Sequence, residues 1–294
     1  MATTPERLLL RLEWQVVRRL DGRLQGAHRT AHRGAGIDFT GLRPYGEGDD
    51  ARHIDWNVTA RLDEPHLRVF TEDRELTVWL VLDRSASMAA GRPGRGKHDV
   101  LAELALVLAR LFGRGGNQVG ALLFDTGMLR VVPPGTSRRH ALRIGAELER
   151  TVAARGGATT DLAEMLDAAG RLARRRALVV VLSDFIGDGD WERALHRLAR
   201  RHEVVALRIV DPADDVLPEA GLIVVEDAET GEQLVVDSAD PLLRVRLREA
   251  VDARDARLAA GMRRAGVPVH RVDTGRDLAA TLVEVVARTG RRAP

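Results

Sequence analysis

Short, wholly apolar runs alternate along most of this chain with longer stretches in which apolar residues recur every three or four positions. The short runs predict buried strands, and the longer stretches predict helices that pack one face. The runs at 78–82, 119–124 and 177–182 lack the alternation that a strand with one solvated face shows. Together these patterns predict an α/β fold, with a mostly parallel sheet and helices on both faces.

The part of the chain that precedes this alternating pattern has a different composition and residue pattern. Residues 5–20 predict an amphipathic helix, residues 36–56 are rich in glycine, carboxylates and turn formers, and residues 66–71 alternate as an edge strand does. We therefore divide the chain into an N-terminal extension of helix, loop and edge strand, 1–75, and an α/β domain, 76–294. The 36–56 loop has two interpretations: a recognition loop, or a structural corner whose aspartates satisfy backbone groups.

Polar side chains stand where the strand at 78–82 ends. Asp83 follows the strand directly, and Ser85 and Ser87 come at alternate positions after it. In open α/β sheets the ligand site lies outside the carboxyl ends of the strands. A carboxylate and two hydroxyls are oxygen ligands, which favours Mg²⁺, Mn²⁺ or Ca²⁺. The alternative is that the serines cap the next turn while Asp83 accepts backbone hydrogen bonds.

Two further loops carry candidate oxygen ligands. Thr160 and Asp161 precede a predicted helix, and either could also cap it. Asp184 follows Ser183 at the end of the strand predicted at 177–182. If these strands are parallel neighbours, the three loops meet at one edge of the sheet, and this makes a shared cation site more plausible than three separate turn anchors.

Composition excludes several other functions. The chain has no cysteine, so it has no disulfide, thiolate nucleophile or cysteine-bound metal. Its net charge is +2 and its aromatic content 3%, which argue against a nucleic-acid surface built on charge and stacking. No apolar stretch approaches the roughly 18 residues of a membrane helix, and no signal-peptide pattern opens the sequence. We therefore expect a cytoplasmic protein.

The three loops resemble the metal-ion-dependent adhesion site of von Willebrand factor A domains, in which Asp-x-Ser-x-Ser, a threonine after two glycines and a later aspartate surround a cation. The residues from 36 to 88 more specifically resemble the bacterial domain-of-unknown-function 58 (DUF58) family. The matching motifs are Phe39, Leu42-Arg43-Pro44-Tyr45, Gly48-Asp49-Asp50, Arg52, Ile54-Asp55-Trp56, Ala60-Arg61 and Asp83-Arg84-Ser85-Ala86-Ser87-Met88.

This resemblance implies a von Willebrand factor A-like, Rossmann-like domain with a metal site, its ligands being Asp83, Ser85, Ser87, Thr160 and Asp184. In the family pattern the threonine directly follows the glycines, whereas Ala158 and Thr159 intervene here. Thr159 is therefore an alternative to Thr160.

The resemblance also implies a function. Members of the family resemble partners of MoxR-type AAA+ ATPases that mature or remodel other proteins. We accordingly expect a non-enzymatic adaptor whose Mg²⁺, Mn²⁺ or Ca²⁺ accepts a carboxylate from the ATPase or its client. The chain has no Gly-x-x-x-x-Gly-Lys-Ser/Thr loop of its own. The alternatives are a metal-dependent hydrolase or phosphoryl-transfer enzyme, and an arginine-rich nucleic-acid-binding protein.

Overall fold

A computed structural model of the chain describes residues 33–46, 49–62, 64–71, 76–89, 95–114, 116–150, 160–187, 190–228, 230–278 and 280–282. The described residues fall into two compact units, with the boundary between them at Glu75 and Leu76. The helix predicted at 5–20 lies outside the described residues, as do Gly156, Gly157 and Thr159 of the threonine motif.

The smaller unit is built on an antiparallel pair of strands, β1 (Arg33–Pro44) and β2 (His66–Thr71). A 3₁₀ turn (Ala51–His53) and helix α1 (Trp56–Leu62) connect them. The predicted edge strand is confirmed, but the prediction of an irregular loop from residue 36 is wrong up to residue 44. The pairing register shifts twice along β1. Such bulges leave residues unpaired and hide the period of two on which strand prediction depends.

The later part of the predicted loop is a corner held by its aspartates. Asp49 Oδ2 accepts the backbone N–H of Gly46 at 2.8 Å. Asp50 caps the 3₁₀ turn by accepting the N–H of Arg52, and Asp55 Oδ1 accepts the N–H of Asn57 at 3.0 Å at the start of α1. These bonds match the structural interpretation of this segment, because each carboxylate satisfies a backbone donor within its own turn.

The larger unit is organised around a six-stranded sheet in the order β10-β7-β6-β3-β4-β5. All neighbouring pairs are parallel except β4 and β5, which are antiparallel. The strands are β3 (Thr77–Asp83), β4 (Gln118–Phe124), β5 (Met128–Gly135), β6 (Leu178–Ser183), β7 (Glu203–Val210) and β10 (Val269–Asp273). A separate hairpin pairs β8 (Leu222–Glu226) with β9 (Gln233–Asp237).

Helices connect the strands and cover the sheet. They are α2 (Ala86–Ala89), α3 (Lys97–Arg114), α4 (Arg138–Arg150), α5 (Leu162–Leu172), α6 (Trp191–Arg201) and α7 (Pro241–Ala265). The last predicted helix, 278–287, is described only as far as Leu282. Among the residues that the structure describes, no helix combines the length and the apolar composition that crossing a membrane requires.

Strand β3 lies in the middle of the sheet, between β6 and β4, and is buried on both faces. Trp79 and Val81 join one core with residues of α5, α6 and α7, whereas Val78, Leu80 and Leu82 lie on the opposite face and are also inaccessible to solvent. A strand covered on both faces needs apolar side chains at every position. The unbroken run therefore predicted this strand correctly, and the mostly parallel, helix-covered sheet is confirmed.

Strand β5 is longer than the sequence suggests. The sequence predicts an end at Val132, because prolines follow, but β5 continues through Pro133 and Pro134 to Gly135. It is the edge strand of the sheet. On an edge strand the N–H position of one proline can face away from the ladder. The register shift opposite these residues, between Val119 and Ala121, accommodates the other proline.

Candidate metal centre

The site lies where β3 and β6 end side by side. Strand β4, which follows β3 in the chain, pairs with one edge of β3, and the later strand β6 pairs with its other edge. The strand order therefore reverses at β3, and a crevice forms outside the carboxyl ends of strands at such a reversal. Asp83 is the last residue of β3, and Ser183 is the last residue of β6.

Asp83 is fully buried and both of its carboxylate oxygens are held. Oδ1 accepts the backbone N–H of Ser85 at 2.9 Å, which closes an Asx turn after β3. Oδ2 accepts the hydroxyl of Ser183 at 2.5 Å, and that hydroxyl accepts the N–H of Phe185 at 2.8 Å. This chain of hydrogen bonds orients the carboxylate from the neighbouring strand.

Ser85 and Ser87 present their hydroxyls side by side. Both side chains are buried, and their hydroxyls are hydrogen-bonded to each other, with the Oγ atoms 3.0 Å apart. Ser87 lies in the short helix α2, so the turn between β3 and this helix sets the spacing. Two oxygens that occupy neighbouring corners of a magnesium octahedron, each about 2.1 Å from the metal, lie about 3.0 Å from each other. The hydroxyl pair therefore has a spacing that fits a hard divalent cation.

Asp184 and Thr160 come from the two other predicted loops, and both are buried. Asp184 Oδ1 accepts the N–H of Ile186 at 3.0 Å. A side chain at Gly187 would place its Cβ 2.7 Å from the carbonyl oxygen of Thr160, and Gly187 has a φ of +156°. The loop after β6 thus packs on the backbone of Thr160, and only glycine allows this close approach.

The five predicted ligands are therefore found in three loops of one unit, at or beside the carboxyl ends of β3 and β6. Among the described residues, no group of three or more His, Cys, Asp or Glu side chains could hold a metal ion. A site here has to include hydroxyl oxygens, as the donor set of two aspartates, two serines and a threonine does. That set fits Mg²⁺ or Mn²⁺ and would be unusual for zinc or copper.

Burial makes the ionised form of Asp83 costly. Burial and the nearby charge of Asp184 raise the pKa of Asp83 to about 7, and the hydrogen bonds from Ser183 and Ser85 offset only part of this shift. A buried carboxylate is costly unless a cation or hydrogen bonds compensate it. A divalent cation at this position would stabilise the ionised form.

Two buried cationic side chains accompany the aspartates. Arg84 follows Asp83 and is 2% exposed, and its Nη1 atom contacts the ring of His98. Burial lowers the pKa of Arg84 to about 10, while the charges of Asp125 and Asp83 act in the opposite direction. Burial and the charge of Arg84 lower the pKa of His98 to about 4, so this ring is neutral near pH 7.

The second buried cation is Lys97, the first residue of α3 and the only lysine of the chain. Its Nζ atom lies 2.8 Å from Asp184 Oδ2 and 2.6 Å from Asp214 Oδ2. Burial lowers the pKa of Lys97, but the charge and hydrogen bond of Asp184 and the hydrogen bond of Asp214 outweigh burial and raise it overall. Lys97 therefore stays charged.

The roles of Ser183 and Lys97 are not evident from the sequence pattern alone. Ser183 directly precedes Asp184, and its position at the end of β6, beside β3, is the signal that indicates its role. Lys97 is 87 residues from Asp184 in the chain, so no local pattern connects them. A lone lysine at the start of an apolar helix, among 45 basic residues, was the one available indication.

Asp161 caps helix α5, which resolves the choice between it and Thr160. Its side chain accepts the N–H groups of Ala163 and Glu164 at 2.9 and 3.0 Å. We expect Asp161→Ala to lower the free energy of unfolding by about 1 kcal/mol, the usual cost of losing a cap. Chemical denaturation measures this loss. An unchanged midpoint would show that the cap contributes nothing.

The sequence comparisons agree with one another. The family described as "Protein of unknown function DUF58" matches residues 41–257. An uncharacterized protein of Mycobacterium tuberculosis is 39% identical over 282 residues, which cover 96% of this chain and 89% of that protein.

Solved structures of other proteins are also similar to this chain over most of its length. BatB from Bacteroides thetaiotaomicron is 14% identical, with a TM-score of 0.46, over 74% of this chain and 99% of that one. The SpRpn10 VWA domain is also 14% identical, with a TM-score of 0.39, over 72% of this chain and 95% of that domain. The strand order makes the fold a mostly parallel α/β type, and with residues 41–257 matched by the family, this chain belongs to the DUF58 family.

Proposed function

We propose that this protein is a non-enzymatic, metal-dependent interaction module. Its divalent cation, Mg²⁺ or Mn²⁺ before Ca²⁺, would be held by Asp83, Ser85, Ser87, Thr160 and Asp184. When bound, the cation supplies an open coordination position that an oxygen of a partner's carboxylate can occupy. The chain's own residues orient the site and keep it apart from bulk solvent.

The observation that carries this proposal is the pair of serine hydroxyls beside Asp83. Their Oγ atoms are 3.0 Å apart and point into the same buried region at the end of β3. The Asx turn of Asp83 and the start of α2 hold this arrangement. Ligands that are already in place lose little conformational freedom when a cation binds.

The buried charges support binding and argue against catalysis. Lys97 is held in its charged form by two carboxylates, so it is a poor general base. His98 faces Arg84 and has a pKa far below neutrality because burial and that charge disfavour its protonation. We therefore favour an interaction module over a hydrolase or phosphoryl-transfer enzyme.

Three arginines of the larger unit are engaged with carboxylates. On α7, Arg254 pairs with Asp215 at 2.8 Å, and Arg264 pairs with Glu192 of α6. Arg208 of β7 pairs with Asp255 of α7 at 2.5 Å. Paired arginines have less charge to offer phosphates. A protein partner suits this unit better than a nucleic acid.

The partner we propose is a MoxR-type AAA+ ATPase or a client of that ATPase, offering a carboxylate to the cation. The resemblance of the 36–88 segment to the family supports this choice. So does the absence from this sequence of an ATP-binding loop of its own, since an adaptor that acts in remodelling needs a separate ATPase.

Binding of the purified chain to a MoxR-type ATPase from the same genome tests this function by biolayer interferometry. We expect saturable binding in Mg²⁺, at least about tenfold weaker binding in chelator, and the same loss in the Ser85→Ala/Ser87→Ala variant, because binding energy concentrates in a few contacts. Asp161→Asn is the matched control and should bind normally. If the serine variant in chelator bound the ATPase as tightly as the unmodified protein does in Mg²⁺, that result would contradict the proposal.

A further inference from the structure

Lys97 is buried in a way that lysines rarely are. Its side chain is 2% exposed, and it ends between Asp184, in the loop after β6, and Asp214, in the loop after β7. A lysine is almost never fully buried unless it is paired, because the loss of hydration is costly. The two carboxylates therefore hold the ammonium group in place.

Lys97 also restricts Asp184. One oxygen of Asp184 accepts from Ile186 N–H, and the other lies on the ammonium group. Rotation of the carboxylate toward a new ligand would break at least one of these contacts. Asp83, by contrast, is held by neutral donors, the Ser85 N–H and the Ser183 hydroxyl. The two aspartates of the candidate metal centre are thus electrostatically different.

We propose that the Lys97 ammonium is a fixed counter-cation that holds Asp184 and limits the affinity of the candidate metal centre for a divalent cation. This inference rests on the function proposed above. A positive charge at ion-pair distance from a ligand weakens the attraction that the ligand exerts on a metal ion. Lys97 is a positioning residue here, since it acts through Asp184.

The charges around the candidate metal centre show the effect of Lys97. With Asp83, Asp125, Asp184 and Asp214 ionised, the group has four negative charges against the two positive charges of Arg84 and Lys97, so its net charge is −2. A divalent cation neutralises that group. Without Lys97 the loaded group would be negative and would repel an approaching carboxylate. Lys97 thus lowers the affinity of the site for the cation, and it also lowers the repulsion between the loaded site and the carboxylate of a partner.

Calorimetric titration of the chelator-stripped, full-length protein with MnCl₂ tests this inference. We expect Lys97→Met to bind Mn²⁺ at least about tenfold more tightly than the unmodified chain, because a buried charge near the site is removed. Its metal-free melting temperature should fall, since Asp184 and Asp214 then repel each other, and Mn²⁺ should raise that temperature more than in the unmodified protein.

Asp214→Asn is expected to change the affinity for Mn²⁺ in the opposite direction, and this test does not require Lys97→Met to fold. It leaves the full charge of Lys97 on Asp184, so Mn²⁺ binding should weaken by roughly threefold or more. A lysine with a purely structural role would not shift affinity in opposite directions in the two variants. Unchanged or tighter binding in Asp214→Asn, or unchanged or weaker binding in a folded Lys97→Met, would overturn the inference.

The same titration separates this inference from the proposed function. If the unmodified protein binds Mn²⁺ and Lys97→Met binds no more tightly, the counter-cation role is wrong and the metal-dependent function stands. If only Lys97→Met binds, Lys97 limits affinity as proposed, but the native protein does not work through a metal. If neither binds, both proposals fail.

Discussion

Asp83→Asn is expected to abolish divalent-cation binding, with a loss of at least about a hundredfold in affinity, because the variant lacks the charged oxygen ligand that a hard cation requires. The fold should remain, since the asparagine carbonyl can accept the Ser85 N–H as the carboxylate does. Burial disfavours the charged form of Asp83 and raises its pKa to about 7. The metal-free variant should therefore melt at or above the temperature of the metal-free unmodified protein.

Titration calorimetry measures the loss of binding, and thermal melting in chelator measures the stability. Asp161→Asn is the matched control, because it makes the same chemical change in an adjacent loop at an exposed position where asparagine can still cap α5. Its Mn²⁺ affinity should equal that of the unmodified protein. An Asp83→Asn variant that binds Mn²⁺ with unchanged affinity would show that Asp83 is not a ligand.

Ser183→Ala is the second variant with a large expected effect. The Ser183 hydroxyl orients Asp83 from the neighbouring strand and is itself held by the Phe185 N–H. Residues that orient metal ligands typically contribute about 10- to 100-fold to metal affinity. We expect a loss of Mn²⁺ affinity in that range while binding stays saturable, as measured by calorimetry.

A serine elsewhere in the same unit separates this role from a general effect of losing a buried hydroxyl. The Ser238 side chain is fully buried, and its hydroxyl bonds to backbone groups, the N–H of Ala220 and the carbonyl of Gly221. Ser238→Ala should lower thermal stability and leave Mn²⁺ affinity unchanged. Equal affinities of Ser183→Ala and the unmodified protein would exclude an orienting role for Ser183.

Much of the fold could be predicted because its main signals are local. The run from Val78 to Leu82 is apolar at every position since β3 is covered on both faces. The sharp change to Asp83 marks the end of that strand, and the same pattern at Ser183 marks the end of β6. Parallel strands then bring these ends to one edge of the sheet. The location of the candidate site follows from that rule.

The details that escaped prediction depend on contacts between distant parts of the chain. The pairing of β1 with β2 is irregular, so its glycine-rich sequence does not show a strand period. The ion pairs of Lys97 join the start of α3 to two different loops, and the bond from Ser183 to Asp83 spans 100 positions. Such contacts are set by strand order, which a single sequence shows only indirectly.

Calorimetric titration of the chelator-stripped protein with Mg²⁺ and Mn²⁺, beside the Ser85→Ala/Ser87→Ala variant, tests the central claim most directly. The two hydroxyls are the ligands whose spacing fits a divalent cation. We predict saturable binding of one ion per chain, lost in the variant, with both proteins folded in chelator. Absence of binding to either cation by the unmodified protein, or equal binding by the variant, would contradict the account of this site as a metal centre.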